Sequence, residues 1–175
     1  MEETTPRLLE LLQAGKLDLA LVVLPVNSPE MLCSELFREP IWVVVGTGHR
    51  LADQDWVKLP DLRGEKMLLL KEGHCFRDEA LRICRRARMP FHSMFETDQF
   101  SSIFPMVASG LGITLAPQMA ANTAGECRVL PLERETFRRV GYIRVRRHVA
   151  GAAQKAFVNW VRQKVRAEDL LGPTR

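Results

Sequence analysis

Two spacings of apolar residues alternate along the chain: short continuous runs, and recurrences every three or four positions. The first recurrence is "PRLLELLQAG", which predicts a helix with Thr5 as its N-cap, Pro6 at the first helical position and Gly15 as its stop. "DLALVVL" (18–24) follows as a continuous apolar run, the pattern of a buried parallel strand. "LCSELF" and "PIWVVVG" predict two further strands, and a polar loop, "HRLADQDWVKLPDLRG", leads to the strand "KMLLL" over 66–70. A helix is predicted from about Phe76 to Arg88, then the strand "FHSMFET" and the helix "QFSSIFPMVASG", which closes at Gly110. The strand "ITLAP", a short helix near "QMAAN" and the strands "CRVLPL" and "RVGYIRVR" come next. A last helix spans roughly Gly151 to Leu171, with Ala153, Phe157, Trp160, Val161 and Val165 near one apolar stripe. This alternation predicts an α/β fold of parallel sheets with helices on both faces.

Composition narrows the class. The 175 residues suit one well-packed domain or two small lobes, and shares of 46% apolar and 26% charged are those of a globular protein. No apolar run reaches the ~18 residues of a membrane helix, and Met1 is followed by "EETTPR" rather than by a basic and then apolar leader. The chain therefore reads as cytoplasmic, where its four cysteines, Cys33, Cys75, Cys84 and Cys127, are not a structural disulfide framework. The net charge of +4 gathers in "RICRRAR" (82–88) and "RRVGYIRVRR" (138–147). Without interleaved aromatics, zinc spacing or a helix-turn-helix pattern, these runs favour a solvated basic face over a phosphate-contacting one.

Candidate chemistry concentrates in "GHCFRDEALRIC" (73–84). Cys75 stands at a helix start, where free backbone N–H groups favour an anion, and His74 and Arg77 add positive charge or hydrogen bonds that lower a thiol pKa. Asp78 and Glu79 oppose that shift. Cys84 lies in the basic run "CRRAR", which favours a thiolate, but it also sits beside Ile83 at what could equally be an apolar packing position. A thiol enzyme with Cys75 as nucleophile has no candidate base beyond His74. The spacing of His74, Cys75 and Cys84 fits no zinc site, and no cofactor is called for. Cys33 and Cys127 read as strand-packing residues.

Four segments in this order, "LLELLQAGKLDLAL", "ELFREPIWVVVGTGHRLA", "LPDLRGEKMLLL" and "MVASGLGITLAPQMA", resemble the effector-binding domain of LysR-type transcriptional regulators over nearly the whole chain. The resemblance implies a two-lobed, periplasmic-binding-protein-like α/β domain. Lobe I would comprise residues 1–40 and 140–175 and lobe II residues 41–139, with a ligand cleft at two crossover strands. The strand, helix and strand that ordinarily open this domain have no counterpart here, and neither has the family's winged helix-turn-helix. An N-terminally truncated lobe I is therefore expected, its "DLALVVL" edge exposed or paired with another chain. DNA would be bound only through the absent part, and self-association would run through the regulatory domain as a homodimer or tetramer.

"GHCFRDEALRIC" further resembles the peroxide-sensing, OxyR-like branch of this family. That likeness implies that Cys75 is oxidised by hydrogen peroxide and Cys84 resolves it into a disulfide, with His74 beside the sulfur and Thr5 hydrogen-bonding the peroxide. Nine residues of ideal helix rise ~13.5 Å, whereas a disulfide needs Cα atoms within roughly 7 Å, so such a bond requires this helix to unwind. The competing expectation within the family is a small organic acid or aromatic metabolite held by Thr5, Gln99, Ser101, Ser102 and Arg146, with helix N-termini as anion sites. Helix capping by Thr5, Gln99 and Ser101, and turn roles for Gly110 and Gly112, are the structural alternatives.

Overall fold

A computed structural model describes residues 1, 3–72, 75–88, 93–97, 99–134 and 136–167. In chain order the elements are α1 (Thr5–Gln13), β1 (Ala20–Leu24), β2 (Met31–Gly46), a 3-10 turn (Leu59–Leu62), β3 (Met67–Leu70), α2 (Cys75–Arg86) and β4 (Ser93–Thr97). They continue with α3 (Phe100–Ala108), β5 (Thr114–Pro117), α4 (Gln118–Ala121), β6 (Cys127–Pro131), β7 (Phe137–Val145) and α5 (Ala152–Ala167). The chain divides into two compact units, one of Met1–Glu39 with Arg138–Arg175, the other of Pro40–Phe137.

In the first unit β7 is the chain's return strand. It pairs antiparallel with β1, from Ala20 opposite Ile143 to Leu24 opposite Arg139, and has β2 on its other side. The parallel strand expected at "DLALVVL" is thus antiparallel, because its neighbour comes from the end of the chain rather than from the next crossover. β1 is the edge strand among the described residues, and its Leu21 is 47% exposed where a strand covered on both faces would be buried. Leu12 of α1 packs with Ala20, Val22, Met31, Ile143 and Val145 to form the core. Glu39, wholly buried, accepts a 2.7 Å bond from the Arg138 guanidinium, which compensates its desolvation.

Two local expectations fail in this unit. Thr4, not Thr5, is the N-cap of α1, and Thr5 is already helical with Pro6 behind it; no side-chain cap bond forms. The buried face of α5 runs through Val158 and Val165, whereas Phe157 and Trp160, expected on the apolar stripe, are 41% and 56% exposed and stack on each other at 6.3 Å. A stripe of 100° accommodates only part of so many apolar positions, and the sheet selects the Val158 side.

The second unit has the larger core. "LCSELF" and "PIWVVVG", expected as two strands, are one 16-residue strand running through Pro40. The following Ile41 donates to the Thr136 carbonyl at 2.7 Å, so the proline's missing N–H leaves the pairing of its neighbour intact. The second half of β2 pairs antiparallel with both β5 and β6, and β3 pairs in parallel with β4. The sheets are therefore mixed rather than all parallel: among the described residues the β3–β4 ladder and the isolated bridges Met67–Ile113 and Val57–Leu132 run parallel. Thr114, buried at the start of β5, donates its hydroxyl to the Leu68 carbonyl at 2.8 Å. Gly112 is fixed by proximity: a Cβ there would meet the Lys66 carbonyl oxygen at 2.4 Å. Gly110 ends α3 with a φ of +80°. Gly112 thus serves the β3–β5 junction, and Gly110 the helix end.

Candidate functional site

α2 carries the two cysteines of interest. Its apolar positions Phe76, Ala80, Ile83, Cys84 and Ala87 recur at three and four residues and are all buried. Arg85 and Arg86 in the last turn suit the negative end of the helix dipole, and Arg88, at φ +53°, turns the chain out of the helix. The Arg63 guanidinium donates to the Ala87 carbonyl at 3.1 Å, satisfying one of the carbonyls that the helix end leaves open. Phe76 meets Phe100 of α3 edge-on at 5.7 Å, and Phe100 stacks on Phe104 at 5.5 Å.

Cys84 lies on the packed face, 2% exposed within the main core cluster, and is a free thiol. Burial pushes its pKa up to about 11, outweighing its own backbone hydrogen bond and the neighbouring Arg85, which pull it down. The basic run "CRRAR" therefore does not make Cys84 a thiolate: the arginines point to the opposite, exposed flank, and desolvation decides. Cys75 is the first residue of the same unbroken helix. Nine helical steps set the two Cα atoms ~13.5 Å apart along the axis, about twice the reach of a disulfide.

Arg77 is committed elsewhere. Its Nη2 donates to Glu96 of β4 at 2.8 Å, with the two side chains 18% and 36% exposed. That hydrogen bond is the main cause of a raised guanidinium pKa; burial opposes it, and the charges of Glu96, Glu72 and Asp78 reinforce it. Its charge is neutralised locally rather than offered whole to the helix start, while its Nε is buried without a hydrogen-bond partner among the described residues. Arg77 thus ties the first turn of α2 to the next strand. His74 lies outside the described residues.

The residues expected to hold an organic acid come from both units. In the first unit, Thr5 is half-buried in the first turn of α1, and Arg146 donates from Nε to the Pro29 carbonyl at 3.2 Å and from Nη2 to the Met31 carbonyl at 3.3 Å, pinning the loop before β2. In the second unit, Gln99 is the N-cap residue of α3 without a side-chain cap bond, and Ser101 donates to its Oε1 at 3.1 Å. Ser102 is exposed on the same turn. Ser101 also lines a largely apolar concavity of about 470 Å³ with Phe104, Pro105, Ala108 and residues 123–126.

Of the two other cysteines, Cys33 is exposed on β2, with its thiol 3.8 Å from the Val26 carbonyl. Cys127, half-buried, donates to the Phe104 carbonyl at 3.4 Å, and burial raises its pKa. Glu96 and Arg63, which anchor the two ends of α2, were not singled out by sequence. Nothing local marks them, since each meets its partner 19 and 24 residues away. The burial of Cys84, by contrast, is one of the two alternatives that its sequence context left open.

Comparison with known proteins agrees with this architecture. The family model for the LysR substrate binding domain matches residues 1–166. The DNA-binding transcriptional dual regulator OxyR of Escherichia coli K12 is 37% identical over 119 residues, which cover 68% of this chain and 39% of that protein. The chain thus spans about two-fifths of the length of the curated relatives it matches. Among solved structures, the reduced OxyR regulatory domain of Pseudomonas aeruginosa superposes with a TM-score of 0.79 at 28% identity, covering 93% of this chain and 80% of that one. A peroxide-bound cysteine-to-serine mutant of Corynebacterium glutamicum OxyR gives 0.85 at 25% identity, covering 97% of this chain and 55% of that one. The chain belongs to the LysR substrate-binding-domain family, and its relatives and structural neighbours place it beside the OxyR regulatory domains.

Proposed function

We propose that this chain is the sensing part of a peroxide-responsive transcription regulator, with Cys75 as the oxidised residue and Cys84 as its resolving partner. The observation that carries the reading is the placement of Cys75 at the start and Cys84 on the buried face of one helix, in a domain whose relatives are hydrogen peroxide-inducible activators. The Cys75 thiolate attacks one peroxide oxygen and the O–O bond breaks; Cys75 becomes a sulfenic acid and hydroxide leaves. Cys84 then loses its proton, its sulfur attacks the sulfenic sulfur, and water departs as the S–S bond forms. Two thiols and one peroxide yield one disulfide and two waters.

Burial sets the order of these steps. With its pKa held near 11, Cys84 is a protonated and inaccessible thiol as long as α2 is intact. Unwinding the helix both closes the distance and returns the thiol to the ordinary range, so the resolving step follows the structural one. The reporter is then an order-to-disorder change in α2. The same reading makes the chain a binder rather than an enzyme, acting in the cytoplasm, associating as a homodimer or tetramer and reaching DNA through a segment other than this one. His74 and Thr5 would attend the peroxide.

The test is stoichiometric peroxide on the reduced protein, rapid blocking of free thiols and mapping of disulfides by mass spectrometry. A Cys75–Cys84 bond within seconds is expected, with loss of helical circular dichroism. Cys84→Ser should stop at a Cys75 sulfenic acid, and Cys75→Ser should leave Cys84 unmodified at neutral pH. Absence of that bond in the wild-type chain, with saturable binding of an organic acid instead, would overturn the assignment.

A further inference from the structure

In the first unit, α5 and β7 enclose a second concavity of about 280 Å³. Its lining is rich in donors and holds no carboxylate: Tyr142 and Arg144 from β7, and Gln154, Lys155, Asn159 and Arg162 from α5. Lys155, Asn159 and Arg162 follow one another at four and three residues, so they share a flank of the helix. No acidic residue occupies the first turn of α5, at whose start Lys155 stands.

Among the described residues, Arg144, Lys155 and Arg162 form no ion pair. Arg144 uses Nη1 on the carbonyls of Val145 and His148, which steadies the guanidinium and leaves Nε and Nη2 without partners among the described residues. Lys155 and Arg162 form no ion pair there, in contrast to Arg7, Arg38 and Arg82, each paired with a nearby glutamate. Three like charges converging on one hollow repel each other unless an anion joins them. An arginine fork, an ammonium and neutral N–H and O–H donors around one volume match the several acceptor oxygens of a phosphate group.

We propose that this hollow binds a small phosphate-bearing anion. It would be a ligand site distinct from the cysteines of α2, and it stands independently of the peroxide reading. The small volume favours a compact phosphate compound over a nucleotide-sized ligand.

Calorimetric titration of the reduced chain with inorganic pyrophosphate tests it, alongside heteronuclear NMR. Saturable binding is expected, with shifts confined to residues 142–162, and Lys155→Gln with Arg162→Gln should weaken it about tenfold or more, the loss of charge-assisted bonds. Both positions are exposed, so the melting temperature should stay unchanged. Arg85→Gln with Arg86→Gln, on the basic face of α2, should leave affinity unaltered. No saturation, or equal losses from the two double variants, would show diffuse surface attraction and overturn the site. A short DNA duplex forms the second arm: binding of duplex but not pyrophosphate, lost in the Lys155/Arg162 variant, would assign the hollow to nucleic-acid backbone phosphate and overturn the small-anion proposal.

Discussion

The two units of this chain are built on unequal cores. In Pro40–Phe137, buried residues from β2, β3, α2, α3, β5 and β6 join one extensive cluster, and α2 contributes Phe76, Ala80, Ile83 and Cys84 to it. In the other unit the cluster is Leu12, Ala20, Val22, Met31, Ile143 and Val145, and Leu21, Phe157 and Trp160 remain exposed. The contrast shows what a redox switch in α2 must work against. Its helix is not a surface ornament but a wall of the better-packed unit, so unwinding it exposes apolar area as well as breaking backbone hydrogen bonds. On the proposed reading, oxidation supplies that free energy.

The largest expected effect tests the depth of that wall. Ile83→Ala should cost about 3 kcal/mol of stability, through lost transfer free energy and the residual cavity, measured by urea unfolding. A loss under about 1 kcal/mol would mean that α2 is a weakly attached helix and would erase the contrast.

The next is a pH effect from Cys84. Folding raises its pKa from 9.0 to about 11, so above pH 9 the unfolded chain sheds a proton that the folded one keeps. The stabilisation is complete below pH 9 and is lost as pH rises from 9 to 11, at up to about 1.4 kcal/mol per pH unit. Cys84→Ala should remove this component of the pH dependence. Urea titrations of both proteins from pH 8 to 11 decide it, and identical slopes would mean an unburied thiol.

Smaller again is the tether at the first turn. Glu96→Gln weakens a partly exposed ion pair and should lower stability by less than about 1 kcal/mol. It should nonetheless speed disulfide formation after peroxide, since Arg77 then holds the start of α2 less firmly. Stopped-flow quenching with thiol mapping would register this, and an unchanged rate would separate the tether from the switch. Smallest is Trp160→Ser in the first unit, expected within about 0.5 kcal/mol of wild type in urea unfolding because that ring is more than half exposed.

Much of this was legible in the chain. The periodicity around Phe76, Ala80, Ile83 and Ala87 marks α2, Gly110 marks the end of α3, and the ordered family segments carry the two-lobed α/β class. Local chemistry suffices for these because turns, stripes and stops are set by neighbours within a few residues. Strand direction was not legible. "DLALVVL" looks the same whether its partner is the next crossover strand or β7, more than a hundred residues later, and Pro40 looked like a break until β2 ran through it.

The sequence by itself determined that Cys75 and Cys84 lie on one helix nine residues apart, and helical geometry alone then keeps them out of bonding range. Tertiary structure alone decided the chemistry of Cys84. The arginines beside Cys84 are neighbours in the chain, yet the thiol faces the core of the second unit, and desolvation outweighs their charge. Arg77 stands two residues from Cys75 in sequence, yet spends its charge on Glu96, nineteen residues on. A charge acts through distance and dielectric, and both depend on which residues the fold brings together.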